Sequence, residues 1–287
     1  MPNSKNRMKI GVVSDLHADA SKANKELIPF LISAIEDAEI DILVLAGDIT
    51  ANLSEFFDIL DQFNKAKLQC RKLFVPGNHD IWVKKNGRIT STQKCGIISE
   101  ICRENGFHPL IDSPYIEKNI GFCGTIGWYD YSFASTDYNI TMEQYEKKQY
   151  KGKIWNDKRY ANWENSDKVV AKSFEDKLSA HIASIVDIVD KIIVVSHHVP
   201  FRQCLHYKGD LDYDYFLAYM GSEGIGEVCL KQPLITHILF GHLHETVDKK
   251  INDLRLICSP VGYLHEYQQD ELQTYAEQCL TSICLDE

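Results

Sequence analysis

The chain has 287 residues, 44% of them hydrophobic and 25% charged. Lysine and arginine total 31 against 41 aspartates and glutamates, so the formal net charge is 31 − 41 = −10. That composition supports a sizeable core and excludes wholesale disorder, and the acidic balance argues against a protein that coats nucleic acid or docks on anionic membranes.

A polar start (residues 1–7) runs into a short apolar segment that ends in Asp15 and His17. It resembles neither a signal sequence nor a membrane span. Met8–Ser14 is rich in β-branched residues and is predicted as a buried strand. Leu27, Leu31, Ala34, Ile35 and Ala38 mark one face of a helix, and Ile40–Ala46 is a second strand. Phe56, Phe57, Leu60 and Phe63 mark another helix, with Ser54 as the expected cap. Lys72–Val75 is a third strand, closed by Pro76-Gly77. This alternation implies right-handed crossovers and parallel pairing, hence an α/β domain.

Further strands are expected at Ile120–Ile126, Lys191–Ser196, Thr236–Phe240 and Leu254–Cys258. Residues 128–166 lack apolar periodicity and are expected as an irregular or helical insertion or lid. A helix then runs from Asp167 to about Asp190, with Val170, Phe174, Leu178, Ile182, Ile185 and Val189 in phase. Residues 263–287 form a polar tail with a terminal helix. With no repeat and no linker, 1–287 is expected to be one domain. Nine scattered cysteines without CxxC spacing argue for reduced, mostly buried thiols, a cytoplasmic protein and no cysteine metal site.

Polar clusters recur just after apolar strands: Asp15-Leu16-His17, Gly47-Asp48, Gly77-Asn78-His79-Asp80, Ser196-His197-His198 and Gly241-His242-Leu243-His244. In α/β sheets, ligands bind beyond the carboxyl ends of the strands, so these loops can converge. Of 11 histidines, five (His17, His79, His197, His242 and His244) sit in these clusters. Oxygen and imidazole donors suit Mn, Fe or Zn better than calcium. Asp15, His17, Asp48, Asn78, His197, His242 and His244 are too many for one tetrahedral ion. They suffice for two ions that share a carboxylate and leave positions open.

The same clusters resemble the calcineurin-like metallophosphoesterases, whose pattern is D-x-H, G-D, G-N-H-[DE], a lone histidine and G-H-x-H. The resemblance runs from about Lys9 to Pro260. It implies a four-layer α/β/β/α sandwich with two central mixed β-sheets. It implies that Asp15, His17 and His244 hold one divalent transition metal ion, that Asn78, His197 and His242 hold the other, and that Asp48 bridges them. It makes His79 the group that contacts the phosphoryl group and protonates the leaving oxygen. Asp80 is grouped with it, either orienting the loop or capping a helix. His197 is taken as the fourth-cluster ligand because it follows Ser196 directly, which leaves His198 to support it or touch substrate. The implied chemistry is in-line attack on phosphorus by metal-activated water, without a covalent enzyme intermediate.

The protein serine/threonine phosphatases of this superfamily carry Asp-Arg-Gly after the Gly-Asp cluster. Here Gly47-Asp48 continues Ile49-Thr50-Ala51-Asn52, which disfavours a protein phosphatase. His197-His198-Val199-Pro200 is similar to bacterial phosphodiesterases of the nucleotide-hydrolysing branch. Arg202 and Lys208 are candidates to meet phosphate or to remain solvated. The aromatics of 128–166 either pack an irregular lid or stack on an organic group. The expected partner is a small phosphate ester; nucleic acid would need a partner chain. A nuclease and a non-catalytic interaction protein on the same fold are the rival classes. The global charge does not oppose phosphate binding, because Asp15 and Asp48 plus two divalent ions leave the site formally at +2.

Overall fold

The computed structural model describes residues 7–84, 87–264 and 271–286. The polar start up to residue 6, and residues 265–270 and 287 of the expected tail, lie outside the described residues. The elements in chain order are β1 (Arg7–Val13), α1 (Lys22–Asp37), β2 (Ile42–Leu45), α2 (Leu53–Lys65), β3 (Arg71–Phe74), α3 (Ser91–Glu104), β4 (Phe107–Pro109), β5 (Tyr115–Glu117) and β6 (Ile120–Thr125). There follow α4 (Met142–Glu146), β7 (Gln149–Tyr150), β8 (Lys153–Ile154), α5 (Asp157–Tyr160), α6 (Asp167–Ile185), β9 (Lys191–Ser196), α7 (Leu211–Asp214) and α8 (Glu223–Leu230). The chain continues through β10 (Ile235–Phe240), β11 (Val247–Ile251), β12 (Leu254–Cys258), α9 (Leu272–Gln278) and β13 (Thr281–Asp286).

Two large mixed sheets face each other. The first has the order β13-β1-β2-β3-β4 and the second β11-β12-β10-β9-β6-β5. In each the inner pairs are parallel, and antiparallel strands close the edges at β13, β11 and β5. The sandwich is visible in the alternation along β9. Ile193 and Val195 join the core shared with β1 and β2, while Ile192 and Val194 join the core under α6 and α8. A strand exposes alternate residues to opposite faces, so an unbroken apolar run is what a strand buried on both faces requires.

The helices follow local chemistry. Ser21 caps α1 by accepting from Asn24 N at 3.1 Å. The cap of α2 is Asn52, not Ser54: its Oδ1 accepts from Ser54 N at 2.9 Å and Glu55 N at 3.3 Å. The polar α3 begins with a Thr90–Gln93 capping box. The long helix α6 ends at Ile185, short of Asp190. The terminal helix α9 is followed by β13, which pairs antiparallel with β1 from Arg7 to Val12 and completes the first sheet. Among the described residues, no helix is long and apolar enough to cross a membrane.

Candidate metal centre

The polar clusters meet where the parallel strands end. Ser14 N donates to Ser259 O at 2.9 Å, which joins the end of β1 to the segment after β12. Asp15 N donates to Gly47 O at 2.9 Å, His17 N to Asp48 O at 3.0 Å, and Gly241 N to His197 O at 3.1 Å. These cross-links bring together side chains from both sheets. The turn is tight enough to put Asp15, His17, Asp48 and His242 in the left-handed backbone region, at φ of 55°, 43°, 57° and 70°. Non-glycine residues adopt that region at a cost, and such strain gathers at functional sites. Gly77 is required by contact: a Cβ there would lie 2.0 Å from Asp48 Oδ1.

Three overlapping groups of donors result; His17, Asp48 and His79 form one that shares a residue with each of the other two. In the first of these two, ligand atoms of Asp15, His17 and His244 all lie within 4.8 Å of one another; in the second, those of Asp48, His197 and His242 do. His17 Nε2 and His244 Nε2 are 2.9 Å apart. Two nitrogens each about 2.1 Å from one ion at right angles would be about 3 Å apart, so the spacing suits a shared ion. Asn78 Oδ1 lies 3.2 Å from His197 Nε2, which adds it to the second group. Asp48 Oδ1 accepts from His79 N at 2.8 Å, leaving Oδ2 between the groups, 3.7 Å from His17 Nε2 and 3.4 Å from His197 Nε2. His242 Nε2 is buried and finds no hydrogen-bond partner among the described residues. A buried polar atom without a partner is costly, and ligation would remove that cost. This donor set therefore fits divalent ions.

Residues 8–246 match the family model for calcineurin-like phosphoesterases. The chain belongs to the calcineurin-like phosphoesterases. Among solved structures, it is similar to phosphopantetheinyl hydrolase from Mycobacterium tuberculosis, at 19% identity and a TM-score of 0.77, covering 97% of this chain and 96% of that one. It is also similar to a dimetal phosphatase from Danio rerio, at 12% identity and a TM-score of 0.48, covering 90% and 88%. No curated protein matches the chain. Membership makes it a metal-dependent phosphoric ester hydrolase, and His/Asp clusters of the kind that bind divalent metals are present in the fold.

The electrostatics of this phosphoesterase site follow from burial. Burial raises Asp15 and Asp48, but neighbouring histidines outweigh it and hold both below the usual carboxylate range. Burial alone would lower His197, yet Asp48, Asp15 and the Ala46 carbonyl push it up to about 9. Its Nδ1 lies 2.8 Å from Ala46 O, an N–H donation that aims Nε2 at Asp48. Burial and the neighbouring His198 and His197 hold His242 well below the ordinary range, so it offers a neutral nitrogen. His79 is pushed down to about 3, mainly by burial and against the attraction of Asp48.

A cavity of about 340 Å³ opens over the donors, lined by Asp48, Asn78, His79, His242, His244, Trp82, Trp155 and Tyr263 among others. Trp82 and Tyr263 were not anticipated. Trp82 stacks on His79 with centroids 3.6 Å apart, and Tyr263 lies 4.6 Å from the His17 ring. Trp155 lies with its ring edge-on to His242. Trp128, Tyr129 and Tyr131 are buried and pack away from solvent instead. Trp128 Nε1 and Tyr131 Oη donate to Asp167, which also pairs with Lys148 at 2.7 Å.

Three of the candidates lie away from the cavity. Asp80 does not face the cavity. Its two oxygens accept from the backbone N–H groups of Asp48, Gly77, Ile49 and Thr50 at 2.8 to 3.1 Å, so of the two roles expected of it, it orients the loops after β2 and β3. Arg202 is spent elsewhere: its guanidinium donates to the carbonyls of Ser132 and Ala134, to Tyr207 Oη and to Glu223. His198 is fully buried, with Nδ1 3.1 Å from Ile126 O and its ring 4.5 Å from that of His242, so it backs that candidate ligand and does not line the cavity. Lys208 packs its ammonium 3.7 Å over the Tyr213 ring.

Proposed function

We propose that this phosphoesterase hydrolyses small esters bearing one phosphoryl group, using two divalent transition metal ions. Asp15, His17 and His244 would hold one ion, and Asn78, His197 and His242 the other. The observation that carries the two-ion reading is Asp48 Oδ2, which stands between His17 Nε2 and His197 Nε2. Bound ions of this kind supply Lewis acidity toward phosphoryl oxygens and acidify water so that it attacks at neutral pH.

The chain's own residues do the rest. Asp48 and Asn78 are fixed by backbone and side-chain hydrogen bonds, so no reorganisation is needed when charge builds on the phosphoryl group. His79 lines the cavity with its ring clamped on Trp82, where it would protonate the departing oxygen. Burial keeps it neutral in the free protein, so the negative phosphoryl group must raise it to the imidazolium form.

Substrate size follows from charge. No described residue lining the cavity is lysine or arginine, so a second phosphate or a polynucleotide would meet no counter-charge there. Trp82, Trp155 and Tyr263 instead offer apolar surface to the organic part of the ester. A phosphopantetheinyl ester is one such substrate, supported by the near-complete mutual coverage with phosphopantetheinyl hydrolase. The nine free cysteines favour a reducing, cytoplasmic setting.

The test is hydrolysis with Mn²⁺ of an aryl phosphomonoester, an aryl phosphodiester, a cyclic nucleotide, a phosphopantetheinyl ester and single-stranded DNA. Turnover of a small ester and none of DNA is expected. Preference for DNA would overturn the substrate reading, and inactivity of folded, metal-loaded protein on every ester would overturn the enzyme.

A further inference from the structure

Asp157 begins the four-residue helix α5, inside the segment where the sequence shows no periodicity, and its side chain is buried. A buried carboxylate is costly unless its oxygens are hydrogen-bonded. Asn78 Nδ2 donates to Oδ1 at 3.0 Å, Trp82 Nε1 to Oδ1 at 2.6 Å, and Trp155 Nε1 to Oδ2 at 2.7 Å. All three donors belong to the cavity. Asn78 is the candidate ligand beside His197, Trp82 is the ring stacked on His79, and Trp155 abuts His242.

We infer that Asp157 is a positioning residue that sets the Asn78 amide for metal binding and holds the Trp82–His79 stack, as one acceptor for three site groups. The inference rests on the two-ion reading above.

An asparagine side chain has one end that can ligate and one that cannot. Its carbonyl oxygen accepts, while its NH₂ only donates. Asp157 can accept only from the NH₂ end, so it turns Oδ1 toward His197 and keeps it there. Without Asp157, a half-turn of the amide would present NH₂ to the ion. The same carboxylate fixes Trp82 by its indole N–H, and Trp82 in turn limits the His79 ring to one plane. One change at Asp157 should therefore act on one metal ion and on proton transfer together. A carboxylate that served only to pack the insertion would not couple these.

The test begins with calorimetric titration of Mn²⁺ into the wild type, Asp157→Ala, Asn78→Ala and the double variant, each first checked for folding by thermal unfolding. The wild type is expected to take two ions. Asp157→Ala is expected to weaken one of them by about 10- to 100-fold, the range typical of residues that orient ligands. In the Asn78→Ala background the further loss should be under about twofold, because the group through which Asp157 acts is gone. Asp157→Ala should also slow an ester with a poor leaving group more than an aryl ester with a good one, through loss of the His79 clamp. Two ions in the wild type with unchanged affinities in Asp157→Ala, or equal losses in both backgrounds, would overturn Asp157 and leave the two-ion reading standing. No metal binding by the folded wild type would overturn both. If Asp157→Ala does not fold, the isosteric Asp157→Asn replaces it. It sets an N–H against at least one of the three donors and is expected to weaken the same ion or the same leaving-group ratio by at least about threefold. No change in either would overturn the inference.

Discussion

His17 and His244 bring their Nε2 atoms to 2.9 Å of each other across 227 positions of chain. Asp15 Oδ1 lies 3.5 Å from His244 Nε2, so three donors of one candidate site converge there. An ion that binds the folded site and not the unfolded chain stabilises the protein in proportion to the logarithm of its concentration. At 100 times its dissociation constant the gain is about 2.7 kcal/mol per site. Scanning calorimetry should therefore show a melting temperature that climbs with Mn²⁺ or Zn²⁺ and falls with chelator. His244→Ala should remove part of the rise, and Asp48→Asn nearly all of it, because Asp48 Oδ2 faces both groups. A melting point indifferent to metal would contradict the assignment.

The pH dependence of metal binding should be set by His197. In the metal-free protein burial lowers it, but Asp48 and Asp15 dominate and carry it to about 9. At pH 7 the free site thus holds a proton on His197 that an ion must displace. Affinity for that ion should rise about tenfold per pH unit from pH 7 and level off near pH 9. Calorimetry in buffers of different ionisation enthalpy should find about one proton released. An affinity flat across that range would mean that His197 is already neutral or is not a ligand.

How much of this was legible in sequence depended on the range of the forces involved. Strands such as β1, β2 and β9 announced themselves as apolar runs because both their faces are buried. The convergence of the candidate ligands followed, because each cluster lies within a few residues of a strand end. What failed was set at long range. The edge strand β11 alternates half-buried with exposed residues and β13 buries only Ile283 and Leu285, so neither reads as an apolar run. The helix α3 is mostly polar, and its start is written in one capping box. Asp157 reads as one more acidic residue in an irregular stretch, since its partners Asn78 and Trp82 lie 79 and 75 positions away. Arg202 is the opposite case. It follows the His197 cluster in sequence, but the carbonyls of Ser132 and Ala134 turn it away.

Asp80→Ala should cost stability before it costs chemistry. Its carboxylate accepts four backbone N–H groups that have no other place in these tight turns. Leaving buried amides unsatisfied costs about 1–3 kcal/mol each where water cannot enter. A net loss on the order of 3 kcal/mol is expected, measured by urea unfolding of the metal-free protein. Weakened metal binding should follow, since Asp48 N is one of the four. A stability within about 0.5 kcal/mol of wild type, the range of ordinary surface changes, would remove the bracing role.

His79→Ala separates an acid from a ligand. His79 lies within 4.8 Å of His17 and Asp48 by ligand atoms, so geometry alone would also allow it to bind metal. Its backbone N–H, however, is what occupies Asp48 Oδ1, and its ring is stacked on Trp82. As general acid it should be worth about 10²- to 10⁴-fold on an alkyl ester, whose leaving oxygen needs the proton. It should be worth far less on a nitrophenyl ester, whose leaving group departs as the anion. Metal stoichiometry by elemental analysis should stay at the wild-type value. Burial, which holds the free residue near 3, also implies that kcat/KM shows no imidazolium limb of the free enzyme between pH 5 and 8. Loss of a metal ion with equal slowing of both esters would make His79 a ligand and would move the proton donor elsewhere in the cavity.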